Sequence, residues 1–276
     1  MKSKNSFTND PASELVALVR NSKKYRAISE DLIRRIATQE LEKNHNIRLA
    51  VKATRNKLHQ IGGAYLDRAV DYNFCLDVLK RAFSVGNDEF LQACRQVMCY
   101  HSSTRERIPE LDRFYRSILA GLPTARCVLD VACGLNPLAI PWMGLPDDVE
   151  YLAIDIYSDM VDFINRYMKL AGINGSAVVG DVISNCPTKA VDIAFVLKTI
   201  PCLEQVDKTA GIELLNHLQA KNMIVSFPVH SLGGRRDKGM LENYTRRFRE
   251  QIVGKDWFVK MFEYSSELVF ILSKKS

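Results

Sequence analysis

Residues 127–144, CVLDVACGLNPLAIPWMG, carry three structural signals in succession. The apolar run from Cys127 to Val131 predicts a strand, Ala132-Cys133-Gly134 a tight turn, and Asn136-Pro137 the start of a helix. Asn136 suits the cap of that helix, and Pro137, with its fixed φ, suits the first helical position. Strand, turn and helix start in this order build nucleotide sites. Gripping a pyrophosphate, however, takes several backbone N–H groups and the room of three closely spaced glycines. Here the glycine after Gly134 is Gly144. The loop therefore suits a nucleoside that carries no phosphates.

Outward from this stretch the chain alternates. Further strands are expected at 150–156, 176–181, 191–197 and 222–229, after a first at 127–132, with helical segments between them. Short, continuous apolar strands with helical crossovers predict a parallel sheet covered on both faces. WFVKMFEY and ELVFILSK, parted by Ser265-Ser266, read instead as an antiparallel hairpin. The fold class is thus α/β: a doubly wound, Rossmann-like sheet closed by a hairpin, the arrangement of class I methyltransferases.

The first 120 residues read as helices. Ile28, Leu32, Ile36 and Leu41 recur near helical spacing, as do Ile47, Val51, Thr54 and Leu58. The second of these helices carries Arg48, Lys52, Arg55, Lys57 and His59 on its other face. A later helix within 101–122 has two candidate starts, a capping box of Ser103 and Glu106 or a first turn at Pro109. The turn Ala120-Gly121-Leu122-Pro123 marks a boundary between a helical domain, 1–120, and a sheet domain, 121–276.

Charge divides along the same line. The net +6 of the 276 residues resolves into +7 for residues 1–120 and −1 for the rest. A basic first part fits contact with a polyanion, and equally fits solvated helix faces. The seven cysteines include no Cys-x-x-Cys pair, and the histidines do not stand at zinc spacing, so no metal is expected. The N-terminal stretch has no apolar core of a signal peptide, and no apolar run approaches the ~20 residues of a membrane helix. A cytoplasmic protein, monomeric and without a membrane partner, is expected.

In open α/β sheets the ligand sits beyond the carboxyl ends of the strands. Those ends supply Asp130 to Pro137, Asp155, Asp181 and Leu197-Lys198. Gly134 admits a close backbone approach, Asp155 is placed to accept from two ribose hydroxyls, and Asp181 to meet an exocyclic amine such as that of adenine. Any one acid has a bland reading as a helix cap, but acids ending successive strands argue for a ligand. S-adenosylmethionine is the common nucleoside cofactor without phosphates.

HSSTRER (101–107), CGLNPLAIPWM (133–143), LKTIPCLEQ (197–205) and SFPVHSLGGRRDKGMLENY (226–244), with NSKKY (21–25) and KLHQIGGAYL (57–66), resemble the aminoglycoside-resistance 16S rRNA methyltransferases that modify guanine N7 in the decoding site. The resemblance runs through nearly the whole chain in the same order. It implies S-adenosylmethionine as cofactor, held by His101, Ser102 and Ser103, with Arg107 on the methionine carboxylate. It further places Ala132 and Gly134 in the loop, Asp155 on the ribose, and Asp181 with Val182 at the adenine. Leu197, Gln205 and Tyr65 complete the pocket. It also implies 16S rRNA within the assembled 30S subunit as substrate, and resistance to drugs such as gentamicin and kanamycin. Arg236 and Met240 would hold the RNA near the flipped base, although Met240 reads equally as packing. Lys23, Lys24, Arg48, Lys52, Arg55, Lys57 and Arg68 would meet phosphates, which position a protein without reading sequence.

Lys198 is the candidate for orienting the target guanine or its phosphate, against a bland reading as a solvent-facing strand-end lysine. Arg107 likewise has an alternative as a surface ion pair with Glu106 or Glu110. Guanine N7 carries a lone pair and no proton, which suits a chain with no evident acid–base pair. Two other functions fit the same sequence: a methyltransferase of a small molecule with the helices as a lid, and an RNA-binding protein without catalysis. Methylation at an adenine N1 is disfavoured, because Trp142 and Trp257 are not placed to sandwich a base.

Overall fold

The computed structural model describes residues 10–44, 46–63, 65–66, 69–229 and 238–274, the side chains of 238, 240 and 241 excepted. Among these residues five helices come first: α1 (Pro11–Arg20), α2 (Glu30–Lys43), α3 (Ile47–Leu58), α4 (Tyr72–Val85) and α5 (Asn87–Met98). Asp10, Asn46 and Asp71 cap α1, α3 and α4 by accepting backbone N–H bonds that no helical carbonyl can take. A π-helical turn, His59–Gly63, follows α3 directly.

Residues 101–122 adopt neither expected start as a single helix. α6 (Ser102–Arg107) and α7 (Leu111–Leu119) are joined by a 3-10 turn, Ile108–Glu110, that holds Pro109. His101 stands at the cap of α6 without a side-chain cap bond, so the Ser103–Glu106 box does not form. The expected helix at Asn136 is likewise a 3-10 helix, Asn136–Trp142, which contains Pro141.

The sheet comprises β1 (Cys127–Val131), β2 (Glu150–Asp155), β3 (Gly175–Val179), β4 (Val191–Leu197), β5 (Ala220–Pro228), β6 (Trp257–Glu263) and β7 (Glu267–Lys274). Its order is β3-β2-β1-β4-β5-β7-β6. The first five strands are parallel, while β7 runs antiparallel to β5 and to β6. The closing hairpin therefore inserts its second strand beside β5. α8 (Ser158–Ala171) joins β2 to β3, and α9 (Ile200–Leu203) with α10 (Ala210–His217) joins β4 to β5. α11 (Lys238–Ile252) precedes the hairpin. Strand order reverses between β1 and β4, which opens a crevice at their carboxyl ends.

Side chains alternate across the sheet, as the pleat requires. Ile193 and Phe195 join one apolar cluster; Ala194 and Val196 join the other. The first cluster continues without a break into the helices, from Leu15, Ile33 and Leu79 to Phe163 and Ile271. The second packs α10 and α11 on the opposite face through Leu214, Phe248 and Phe270. The helices α1–α5 and the sheet thus share one core across the turn at 120–123. Backbone bonds add to the docking: Ser29 N–H donates to Ile156 at 2.7 Å, and Ser158 N–H to Ala27 at 2.8 Å. No helix among the described residues is long and apolar enough to cross a membrane.

Candidate functional site

A cleft of about 740 Å³, counted with the solvent at its mouth, lies at the carboxyl ends of β1, β2 and β4. Residues at the strand ends and in the loops just beyond them form its floor: Ala132, Asp155, Asp181, Val182, Leu197 and Lys198. Leu32 and Arg35 from α2, Ile61 and Gly62 from the π-helical turn, and Tyr65 close it from the helical side, and His101 and Ser103 stand on its rim. α2 reaches the cleft because the 27–29 segment is bonded to the loop after β2.

Among the described residues two non-glycines have left-handed backbones, Ala132 at φ 50° and Lys198 at φ 56°. Both follow strands and both line the cleft, where strained conformations concentrate in proteins with a site to shape. The turn at Lys198 is held by its N–H, which donates to the carbonyl and the Oγ of Ser226, each at 3.0 Å. Its Nζ is buried and pairs with Glu106 at 2.7 Å. Lys198 is thus no solvent-facing lysine; it is a charged group held at the cleft wall.

Asp155 ends β2 with its carboxylate buried. Oδ2 accepts the Gly134 N–H at 2.9 Å and Oδ1 the Tyr157 N–H at 3.2 Å. Burial pushes its pKa up to about 6, against the pull of these backbone donors. The single-glycine loop therefore holds Asp155. The glycine itself is required by a neighbour: Gly134 has φ +52°, and a Cβ there would come within 2.8 Å of His101 Cε1. His101 stacks on Tyr65 at 5.7 Å between ring centroids and lies 2.9 Å from Ser103 Oγ through Nδ1. Gly134→Ala, which adds both this clash and about 1–2 kcal/mol of backbone strain, is expected to displace His101. Cofactor affinity, measured by calorimetry, should drop while the sheet still folds.

Asp181 lies two residues beyond the end of β3 rather than within it. A bidentate pair with Arg35 occupies its carboxylate, Nε to Oδ2 at 2.7 Å and Nη2 to Oδ1 at 3.1 Å. Arg35 is a cleft residue with no local signature in the sequence, as is Tyr157; Thr199 and Cys202, within LKTIPCLEQ, line the cleft as well. The Cys202 thiol donates to Tyr65 Oη at 3.2 Å, tying the loop after β4 to the helical wall.

Four expected cofactor residues stand elsewhere. Gly134 lies behind His101. Ser102 is buried, its N–H donating to the Tyr65 carbonyl at 2.9 Å. Gln205 is exposed, whereas Leu203 at the end of α9 and Val206 in the turn after it line the cleft. Arg107 is 1% exposed and is neither at the cleft wall nor in a surface pair with Glu106 or Glu110. It forms a bidentate pair with Glu267, Nε to Oε1 at 2.7 Å, and Nη1 donates to Tyr115 Oη at 3.1 Å and Asn136 Oδ1 at 2.8 Å.

Of the expected phosphate contacts, Lys23, Lys24, Arg48 and Lys52 are exposed. Lys57 pairs with Glu40 at 3.1 Å, and Arg55 donates to the Leu18 carbonyl at 2.8 Å, so both are engaged in joining helices. Arg68 and Arg236 lie outside the described residues, as does the side chain of Met240; its backbone is part of α11. Among the described residues no group of three His, Cys, Asp or Glu side chains is arranged to hold a metal ion.

Comparison with known proteins agrees with this fold. The 16S rRNA (guanine(1405)-N(7))-methyltransferase of Micromonospora rosea is 35% identical over 269 residues, 96% of this chain and 98% of that protein. The protein of the same name from Serratia marcescens is 33% identical over 266 residues, again 96% and 98% of the two chains. The crystal structure of the 16S rRNA methyltransferase RmtF in complex with S-adenosyl-L-homocysteine superposes with a TM-score of 0.82 at 31% identity, covering 97% of this chain and 99% of that one. Residues 21–271 match the family described as ribosomal RNA methyltransferase (FmrO). A cleft at the reversal point of a seven-stranded sheet, in a chain alike from end to end, leaves one conclusion: this protein belongs to the FmrO ribosomal RNA methyltransferase family.

Proposed function

We propose that the protein uses S-adenosylmethionine to methylate N7 of guanine 1405 in 16S rRNA within the assembled small subunit, and so confers aminoglycoside resistance. The observation that supports this most directly is the cleft at the β1–β4 reversal point, with a buried acid on its floor and no phosphate-gripping loop. Its chemistry suits the cofactor. Asp155 would accept from the ribose hydroxyls, Val182 and Leu203 would flank the base, and Ala132, His101 and Ser103 would line the amino-acid end. The buried Arg35 Nη1, without a partner, is a donor awaiting an acceptor.

When bound, the cofactor supplies an electrophilic methyl group. Guanine N7 bears no proton, so the residues of this chain have none to remove. Their task is to bind and orient, and positioning of this kind lowers a barrier by up to ~7–11 kcal/mol. Lys198 is our candidate for meeting the guanine or its phosphate. Its charge is held at the cleft by Glu106, whose side chain is 35% exposed and open to competition from a polyanion.

The helical segment would supply the phosphate contacts that dock the subunit, and the sheet the cofactor site. Because Arg55 is engaged with Leu18, the variant that tests docking is Arg48→Glu with Lys52→Glu. It should weaken binding to small subunits and lower the slope of log affinity against log salt by about 2. Cofactor affinity should stay within about twofold, since neither residue lines the cleft.

The deciding assay is methyl transfer from labelled S-adenosylmethionine to intact small subunits, with naked 16S rRNA alongside and the product mapped by mass spectrometry. A methyl on N7 of guanine 1405, on subunits and not on naked RNA, is the expected result. Expression in a susceptible bacterium should then abolish killing by gentamicin and kanamycin. Cofactor binding without transfer to either RNA would instead favour a small-molecule substrate.

A further inference from the structure

Asp181 is 3% exposed and its carboxylate is saturated. Oδ2 accepts from Arg35 Nε at 2.7 Å and Ser184 Oγ at 2.8 Å; Oδ1 accepts from Arg35 Nη2 at 3.1 Å and the Ile183 N–H at 3.2 Å. A carboxylate offers about four lone-pair positions. A ligand amine arriving there must displace a protein donor.

Donor capacity remains beside it. Arg35 lines the cleft together with Asp181 and Val182, and its Nη1 is buried without a hydrogen-bond partner. The guanidinium is planar and rigid, so pinning Nε and Nη2 on Asp181 fixes where Nη1 points. A buried cationic N–H left without an acceptor is costly. The arrangement calls for an acceptor from the ligand.

We infer that Arg35 is a specificity-determining residue of the cofactor site: its Nη1 donates to a ring nitrogen of the adenine, and Asp181 clamps the guanidinium in place for that contact. This rests on the reading of the cleft as an adenosyl-cofactor site. With the ribose on Asp155 at the end of β2, the base extends toward the loop after β3, where Arg35 stands. Adenine ring nitrogens are acceptors, whereas a base with a protonated ring nitrogen at that edge would present donor to donor. The contact also makes α2, a helix of the N-terminal segment, part of the cofactor site.

The test is calorimetric titration of the full chain with S-adenosylhomocysteine and its 1-deaza, 3-deaza and 7-deaza analogues. Wild type, Arg35→Met and Arg35→Lys are compared, the last keeping a charge against Asp181 but lacking a second terminal nitrogen. Wild type should lose roughly 10- to 100-fold in affinity for one analogue, the effect of a single hydrogen bond to a charged group. In the Arg35 variants that penalty should vanish, and the parent ligand should bind as weakly as the analogue. A merely structural role would lower all affinities together and leave the penalties unchanged, which would overturn the inference; Arg35→Lys carries the test if Arg35→Met does not fold. Absence of any binding by wild type would instead overturn the cofactor reading itself.

Discussion

Asp155→Ala is expected to weaken S-adenosylhomocysteine binding by at least about 100-fold, the loss of two charge-assisted bonds to ribose hydroxyls, and to abolish methyl transfer. The same change leaves the Gly134 N–H without its acceptor at 2.9 Å, so the loop after β1 loosens as well. Asp155→Asn keeps one acceptor oxygen and should lose less, about tenfold. Affinity for small subunits should be nearly unchanged in both variants, because the exposed lysines and arginines of the helical segment are untouched. Cofactor binding by Asp155→Ala within threefold of wild type would remove the ribose from this residue.

The burial of Asp155 adds a pH signature. Its pKa is raised to about 6, chiefly by desolvation. The ionised form is the better acceptor, so cofactor affinity should be full above pH 7 and fall as pH drops through about 6. Asp155→Asn has no proton to gain there and should show a flat profile. Calorimetry from pH 5 to 8 separates the two, and equal profiles would assign the titration to another group.

The strand ends were legible because a strand's local signal ends where its chemistry begins. In CVLDVA the apolar run stops at Val131 and the cleft starts at Ala132; in EYLAIDI it stops at Asp155 itself. Contacts made between distant segments left no such mark. Arg35 sits in the pattern of an amphipathic helix, where an arginine reads as a solvated face. The shared apolar core, with the bonds from Ser29 to Ile156 and from Ser158 to Ala27, turns that face onto Asp181, 146 residues away. Lys198 read as a strand-end lysine because alternation assumes an extended backbone, and at φ 56° the backbone turns the side chain inward. Gln205 differs in the opposite sense: it is exposed, away from the cleft lining. In a turn, a shift of one residue decides which side chain faces the cleft, and here Val206 does. The basic face of α3 was legible as charge, but Lys57 and Arg55 spend that charge on Glu40 and Leu18, contacts between helices that no single window contains.

The largest effect on stability is expected from Glu267→Gln. HSSTRER read as one cofactor segment, yet the Arg107 within it is fixed by Glu267 on β7, 160 residues away, with both side chains almost wholly excluded from water. Desolvation alone would raise the Glu267 carboxyl; the adjacent charges of Arg107 and Lys198 win and hold it below its ordinary range. The pair is the hub of a polar network. Glu267 Oε2 accepts Ser226 Oγ on β5 at 2.6 Å, Arg107 and Tyr115 both donate to Asn136 Oδ1, and Asn136 donates to Asp130 on β1 at 2.9 Å. Removing one charge leaves the other buried and unpaired, at a cost of about 3–5 kcal/mol. In a chain of this size that lowers the melting temperature by on the order of 10 °C. Arg107→Met should cost a similar amount. The double variant, Arg107→Met with Glu267→Leu, should recover most of the loss, because apolar groups of similar volume need no partner there. The double variant also decides what Arg107 does besides. If it melts near wild type and binds S-adenosylhomocysteine normally, Arg107 is a structural cation that ties α6 to the hairpin. If it melts near wild type but binds the cofactor more than about tenfold weaker, a difference of about 1.4 kcal/mol, then Arg107 also serves the amino-acid end of the cofactor, as the family resemblance implies.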